Sequence, residues 1–450
     1  CMLKKQIKND NSDLYNQKLE YLINLKHPLC VISNLIPWHE FESEFEKYYK
    51  KDFGRPAKPI RLMVSLLILK RIYDESDESV IERWRENPYW QYYSGEEFFS
   101  WNLPCDSSEL TRFRQRIGEE GCEKILQVSI KVHGKDGEEK EVIPDTTVQE
   151  KNITYPVDTK LHLKIIDKCW KIAEKFRINL RQSYKRTVPK LRFSTRYLRI
   201  PKRKQEARKA ILKIKTIAGR LLRDLNRKLP TDVKNQQQSQ LAIMQKVLEQ
   251  QRTSKNKIYS LHEPEVSCIA KGKEHKKYEF GSKASVLITK KSGVVVAAKN
   301  FKGNPYDGNT LESTLEQSER LRGIKADKAL VDEGYRGKSE INGTEILRVH
   351  QANKIKYSKY KWKNWFKRRS SVEAVIGHLK NNHRLCRNYL KGTQGDSMNL
   401  LLSAAGYNFR KLLIKIALFF VRINLGFLLT KNIKTPKKVQ KFFDVYHRAA

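Results

Sequence analysis

Residues 141–150 read EVIPDTTVQE. Val142, Ile143 and Val148 give the run the apolar, β-branched character of a buried strand, and Asp145 stands inside it. Pro144, directly before the acid, has no N–H to give a ladder, so a local defect or bulge is expected there. On the C-terminal side, strand signals recur at 266–270, 281–290 and 293–300, a meander turning at KKSG. A helix follows at 310–321, then short apolar strands at 329–332 and 344–349, then helices at 370–385 and 397–410. Strand, long helical insert, three strands, helix, two strands and helices describe a mixed α/β sheet interrupted by an insertion.

The insert is where the charge lies. The 450 residues carry 90 Lys and Arg against 50 Asp and Glu, a net charge of +40, but unevenly. Residues 1–150 hold 22 basic and 27 acidic residues, whereas 181–230 hold 18 basic and two acidic. Such a block faces an anion, nucleic acid first and an anionic membrane second, and it has no place in an ordinary metabolic enzyme. From Gln205 apolar residues recur at helical spacing (Ala210, Ile214, Ile217, Ala218, Leu221, Leu222, Leu225), an amphipathic basic helix ending near Pro230, with a further helix to about Gln251. Arg199, Lys202, Arg203 and Lys204 are the candidate phosphate contacts; the alternative is a solvated helical hairpin with no ligand.

The N-terminal part reads as helices. One covers 61–73. A second starts after the N-cap candidate Ser76. A third starts at Asp106, which has capping-box spacing to Glu109, and ends near Gly118. Leu110, Phe113 and Ile117 form the inner face of the third, leaving Arg112, Arg114 and Arg116 outward as candidate DNA contacts in a helix-turn-helix-like arrangement. A plain helical bundle accounts for the same pattern. Seven scattered cysteines without a CxxC pair argue against a disulfide scaffold or zinc knuckle and for a reducing compartment. The first ten residues have no apolar signal core, and Lys415 and Arg422 interrupt the apolar run at 412–429, which reads as a buried or amphipathic helix. Met2 follows Cys1, which points to a fragment or to a read-through of a longer frame.

Three acids remain as candidates for chemistry. Asp145 lies in the first strand, Asp332 ends the strand ALVD before Gly334, and Glu373 lies on the helix of RRSSVEAVIGHLK, with Arg369 and Lys380 on or near its face. Carboxylates from two strands and a helix suit two hard divalent cations that activate water or a 3′-hydroxyl. Each acid also has a plainer reading: Asp145 as a turn residue after Pro144, Asp332 as a turn cap, Glu373 as the third residue of a capping box with Ser370.

Taken in order, the stretches GRPAKPIRLMVSLLILKRIYDESDESVIERW, NPYWQYYSGEEFF, DTTVQEKNITYPVDTKL, LHEPEVSCIAKGKEHKKYEFGSKASV, GNPYDGNTL, VDEGYRG, RRSSVEAVIGHLK and RNYLKGTQGDSMNLLLSAAGYNFR resemble a DDE transposase of a bacterial insertion sequence, of the insertion-sequence-5 type. The resemblance covers about residues 15–410. It implies an α/β, RNase-H-like mixed-sheet catalytic core with a basic helical insertion after the first strand, preceded by an all-α domain. It implies Asp145, Asp332 and Glu373 as metal-binding triad, with Arg369 and Lys380 matching the Arg-x3-Glu-x6-Lys part of the family signature. It also implies two Mg2+ ions, with Mn2+ able to substitute, and double-stranded DNA as partner, both the terminal inverted repeats and the target. Pro144 replaces an apolar strand former, Asn309 replaces His, and Phe366 replaces the Tyr that opens the signature.

The expected division is a helical domain over 1–135, the first strand of the core over 136–160, the insertion over 161–260, the rest of the core over 261–410 and a tail over 411–450. The expected activity is metal-dependent DNA cleavage and strand transfer by a homo-oligomer on DNA, in the cytoplasm with the nucleoid and away from membranes. The rivals are an inactive DNA-binding remnant and an RNase-H-fold nuclease without strand transfer.

Overall fold

The computed structural model describes residues 17–50, 56–251, 253–270, 276–337, 339–348 and 358–430. Among the described residues the chain begins with seven helices: α1 (Leu19–Leu22), α2 (Pro28–Leu35), α3 (Trp38–Glu46), α4 (Ile60–Ile72), α5 (Asp77–Glu86), α6 (Pro88–Tyr93) and α7 (Ser107–Lys131). The local signals act as their chemistry suggests. Ser76 and Ser79 form a capping box at the start of α5, and Asp106 and Glu109 do so at α7. At Gly118 the backbone takes φ 61° and ψ −157°, so the helix breaks where it was expected to end. It then resumes to Lys131, because Cys122, Ile125, Leu126 and Val128 continue an apolar stripe into the core.

Strand β1 (Glu141–Glu150) follows, then the insertion: α8 (Asp158–Lys175), α9 (Thr187–Ser194), α10 (Lys204–Lys228) and α11 (Thr231–Glu249). Its helices pack around Ile165, Ile166, Cys169, Ile214, Ile217, Leu221, Leu222, Leu225 and Met244, a hydrophobic cluster separate from the main one. The main cluster runs without a break from the N-terminal helices through the sheet to the C-terminal helix.

The chain returns with β2 (Ser267–Ile269), β3 (Glu279–Thr289), β4 (Val295–Phe301), α12 (Asp307–Arg322), β5 (Lys328–Val331), β6 (Glu340–Ile341) and β7 (Thr344–Arg348). It closes with α13 (Lys359–Arg369), α14 (Ser371–Asn382) and α15 (Gly392–Thr430). The strands form one mixed sheet in the order β2-β3-β1-β5-β7-β6, with β4 also on β3; β1 is antiparallel to β3 and parallel to β5. This is a helical N-terminal region followed by an α/β core of the RNase-H-like kind. The last residue of the expected 344–349 strand and the tail beyond Thr430 lie outside the described residues. Helix α15 continues through the apolar run at 412–429, and among the described residues no helix is long and apolar enough to cross a membrane.

Candidate active site

Asp145 lies at the middle of β1, where that strand loses one of its neighbours. Lys290 N–H donates to the Glu141 carbonyl and Lys151 N–H to the Phe280 carbonyl, so the odd-numbered residues of β1 bond to β3 and the even-numbered ones face β5. The β1–β3 register runs unbroken from Val142–Thr289 to Glu150–Gly281, through Pro144–Leu287. The β1–β5 pairing covers only Glu141–Lys328 and Val142–Ala329. The next rung would require an N–H from Pro144. The expected bulge in β1 is therefore absent. The defect is a parting from β5, and the register shift in this part of the sheet falls between β3 and β4, at Leu287/Ile288. Past the parting, Thr146 N–H turns to Asp145 Oδ1 at 2.7 Å.

Asp332 follows the last residue of β5, and its Oδ1 accepts from Gly334 N–H at 2.6 Å. Arg369, the last residue of α13, has one guanidinium nitrogen 3.9 Å from Asp332 Oδ2 and another 3.6 Å from Glu373 Oε1. Glu373, in the first turn of α14, has a side chain 64% exposed. The capping-box reading of Glu373 fails, because Ser370 takes a helical backbone and its hydroxyl donates back to Lys367 O. Lys380 lies in the last turn of α14 and is half-buried. Phe366 packs its ring 4.9 Å from that of Trp362, and Asn309 is exposed on the first turn of α12.

Two further residues belong to this region, and neither stands out in the sequence. Asp307, the first residue of α12, accepts from Thr146 Oγ1 at 2.8 Å and pairs with Lys283 Nζ at 2.5 Å. Tyr335 is 3% exposed, and its hydroxyl has no hydrogen-bond partner among the described residues. Burial pushes that phenol well above its ordinary pKa, and the charges of Asp145, Asp307 and Asp332 push it the same way. Both residues stand in stretches that carry the family resemblance, GNPYDGNTL and VDEGYRG. An acid at a helix start reads as a dipole partner and a tyrosine as core, which hides both.

Carboxylates are the right donors for a hard cation, and the buried Tyr335 phenol feels the charge of three of them. As the side chains stand, no three His, Cys, Asp or Glu among the described residues converge closely enough to share one ion. Arg369 supplies the positive charge between Asp332 and Glu373 instead.

The candidate DNA contacts divide. Arg199, Lys202 and Lys204 are exposed, whereas Arg203 makes two bonds to Glu206 and lies 3.3 Å over the Tyr197 ring. On α7 Arg112 is exposed, and Arg116 stands over the Tyr49 ring. Arg114 is a correction: it is 2% exposed and bonds Asp77 at 3.1 and 2.8 Å. Its offsets of four from Leu110 and three from Ile117 place it on the inner face. Burial alone would raise the Asp77 pKa, but Arg114 and Lys70 hold it well below the usual carboxylate range.

Comparison with known proteins adds family-level findings. The family described as Transposase domain (DUF772) matches residues 17–116, and the Transposase DDE domain family matches residues 231–409. The second match contains Asp332 and Glu373, while Asp145 lies ahead of it, beyond the insertion. The chain is 42% identical over 180 residues to "Uncharacterized protein ORF8 in nfe locus" of Rhizobium meliloti, covering 39% of this chain and 86% of that one. No solved structure matches.

Proposed function

The chain belongs to the DDE transposases, and from that premise we propose that it binds the terminal inverted repeats of its own insertion sequence, of the insertion-sequence-5 type, and there cuts and joins DNA. The family acts on DNA and generally uses divalent metal. The reading for this chain is that Asp145, Asp332 and Glu373 hold two magnesium or manganese ions. One observation carries it: Asp145 stands where β1 parts from β5, Asp332 where β5 ends, and Arg369 links Asp332 to Glu373.

Divalent cations, when bound, neutralise phosphate charge and favour the deprotonated nucleophile. The chain's own groups do the rest. On this reading Arg369 leaves its two carboxylates for a DNA phosphate, and Lys380, two turns along α14 from Glu373, steadies the strand end. The exposed bases of the insertion, Arg199, Lys202 and Lys204 among them, grip the backbone without reading sequence. The active form on this reading is a homo-oligomer assembled on DNA in the cytoplasm, with the division into domains at 135, 160, 260 and 410.

The test uses a supercoiled plasmid carrying the gene and its flanking DNA. The wild-type chain is expected to nick it in Mg2+ or Mn2+. Asp145→Asn, Asp332→Asn and Glu373→Gln are expected to lose nicking by a factor of about a thousand or more while shifting the same DNA in a gel. Binding without nicking by the wild type would establish an inactive remnant. Nicking of the plasmid with no joined product from pre-cut ends would establish a nuclease.

A further inference from the structure

We propose that Asp307 is a positioning residue for Asp145: it braces β1 from behind, at the point where the strand has lost its β5 neighbour. The inference rests on the reading of Asp145 as a reacting-site acid.

A strand flanked on both sides is held by two ladders, and among the described residues β1 pairs with β3 alone from Pro144 until Glu150, whose carbonyl accepts from Asn388 N–H at 2.7 Å. Thr146 is the first residue past the gap. Its N–H is taken up by Asp145, and its hydroxyl donates to Asp307 Oδ1 at 2.8 Å. Lys283 Nζ reaches the same oxygen at 2.5 Å and also donates to Pro305 O at 2.6 Å. Thr146 and Lys283 are both buried. Side chains alternate along a strand, so Thr146 lies on the face opposite Asp145; Lys283, opposite Val148 in the register, shares that rear face.

A helix-dipole role alone would call for neither a buried lysine nor a strand hydroxyl at Asp307. Its other oxygen bears on the second acid strand. A Cβ at Gly334 would stand 3.1 Å from Asp307 Oδ2 and 2.9 Å from Asp332 Oδ1, so the turn after β5 lies close against both carboxylates and a side chain there would press on them. Asp307 thus ties the start of α12 to β1 and abuts the turn that carries Asp332. Its pairing with Lys283 makes it a neutralised strut.

The experiment uses the full chain and two readouts: nicking of the same plasmid, and Mn2+ binding to the DNA-free chain by titration calorimetry. Asp307→Ala and Thr146→Val are each expected to slow nicking about tenfold and to weaken Mn2+ binding by a similar factor, the usual scale for groups that orient a ligand. The double variant is expected to be no worse than either single one. Asp307→Asn, which keeps the oxygen acceptor, is expected to stay within about threefold of wild type. Thr146→Val and Asp307→Asn preserve shape, so they decide the matter if Asp307→Ala does not fold. Multiplying effects in the double variant, or wild-type behaviour of Thr146→Val, overturns the proposal. So does a loss of Mn2+ binding in Asp307→Asn equal to that of Asp145→Asn, which would make Asp307 a ligand. If Asp145→Asn itself binds Mn2+ and nicks like wild type, the underlying reading of Asp145 fails and takes the brace with it.

Discussion

Pro144 costs β1 one N–H, and the loss falls on the β5 side of the strand. Pro144→Val returns the donor for the next rung, and a gain of about 1 kcal/mol is expected, seen as a melting temperature raised by a few degrees. An unchanged melting point would mean that β5 lies too far away at that level to accept. Arg114 shows the opposite economy: a cation drawn fully inside because Asp77 meets it with both oxygens. Arg114→Ala leaves Asp77 with Lys70 as its remaining close cation, and a loss of about 3 kcal/mol is expected in denaturant unfolding. An outward, DNA-facing Arg114 would have cost almost nothing to remove.

At the scale of elements, the basic insertion divides its labour between two faces. The inner faces of α8, α10 and α11 form a core, and the outer face of α10 and the turns before it carry the exposed bases. Neutralising Arg199, Lys202 and Lys204 is expected to weaken binding to all DNA sequences alike and to reduce the salt slope by about one for each phosphate no longer neutralised. Arg203→Gln is expected to do less, because that guanidinium is already engaged by Glu206 and Tyr197. Filter binding across a salt series on repeat and unrelated duplexes checks both. These elements are legible in the sequence because they follow local rules: Ala210 to Leu225 mark a buried stripe, and Ser76 and Asp106 mark helix starts. The triad's candidates are legible from residue type and order. What periodicity misses is non-local. Nothing near Arg114 in the chain announces Asp77, and nothing near Asp307 announces Thr146, which lies on a strand 161 residues earlier. Likewise the break at Gly118 gives no sign that the apolar stripe resumes beyond it against a helix near the C-terminus.

On the scale of the molecule, the N-terminal helices and the sheet share one core, and a buried polar seam joins α4 to the C-terminal helices. Arg71 on α4 bonds His383 O at 3.2 Å, Ser403 Oγ at 3.1 Å and Asn399 Oδ1 at 2.8 Å, and the His383 ring bonds Arg71 O at 2.8 Å. Burial pushes His383 down to about 4 from its ordinary 6.5, so between these values the unfolded chain binds the proton more readily. The seam is expected to contribute its full stability above pH about 6.5. About 3 kcal/mol of it should be lost as pH falls towards about 4, with little change below. Comparing wild type with His383→Gln in unfolding titrations from pH 7 to pH 4 isolates this step, and a pH-independent difference would contradict it. A second buried group sits where the insertion meets the core. Lys151, just past β1, reaches Asp396 at 2.5 Å and Glu263 at 3.5 Å, so the two mouths of the insertion are pinned to the same spot on α15. For a polymer whose ends are already fastened together, added contour length costs only a logarithm. The clasp thus turns the space after the first acid strand into a socket, whose contents could be lengthened or recharged while the distance from Asp145 to Asp332 stays the same.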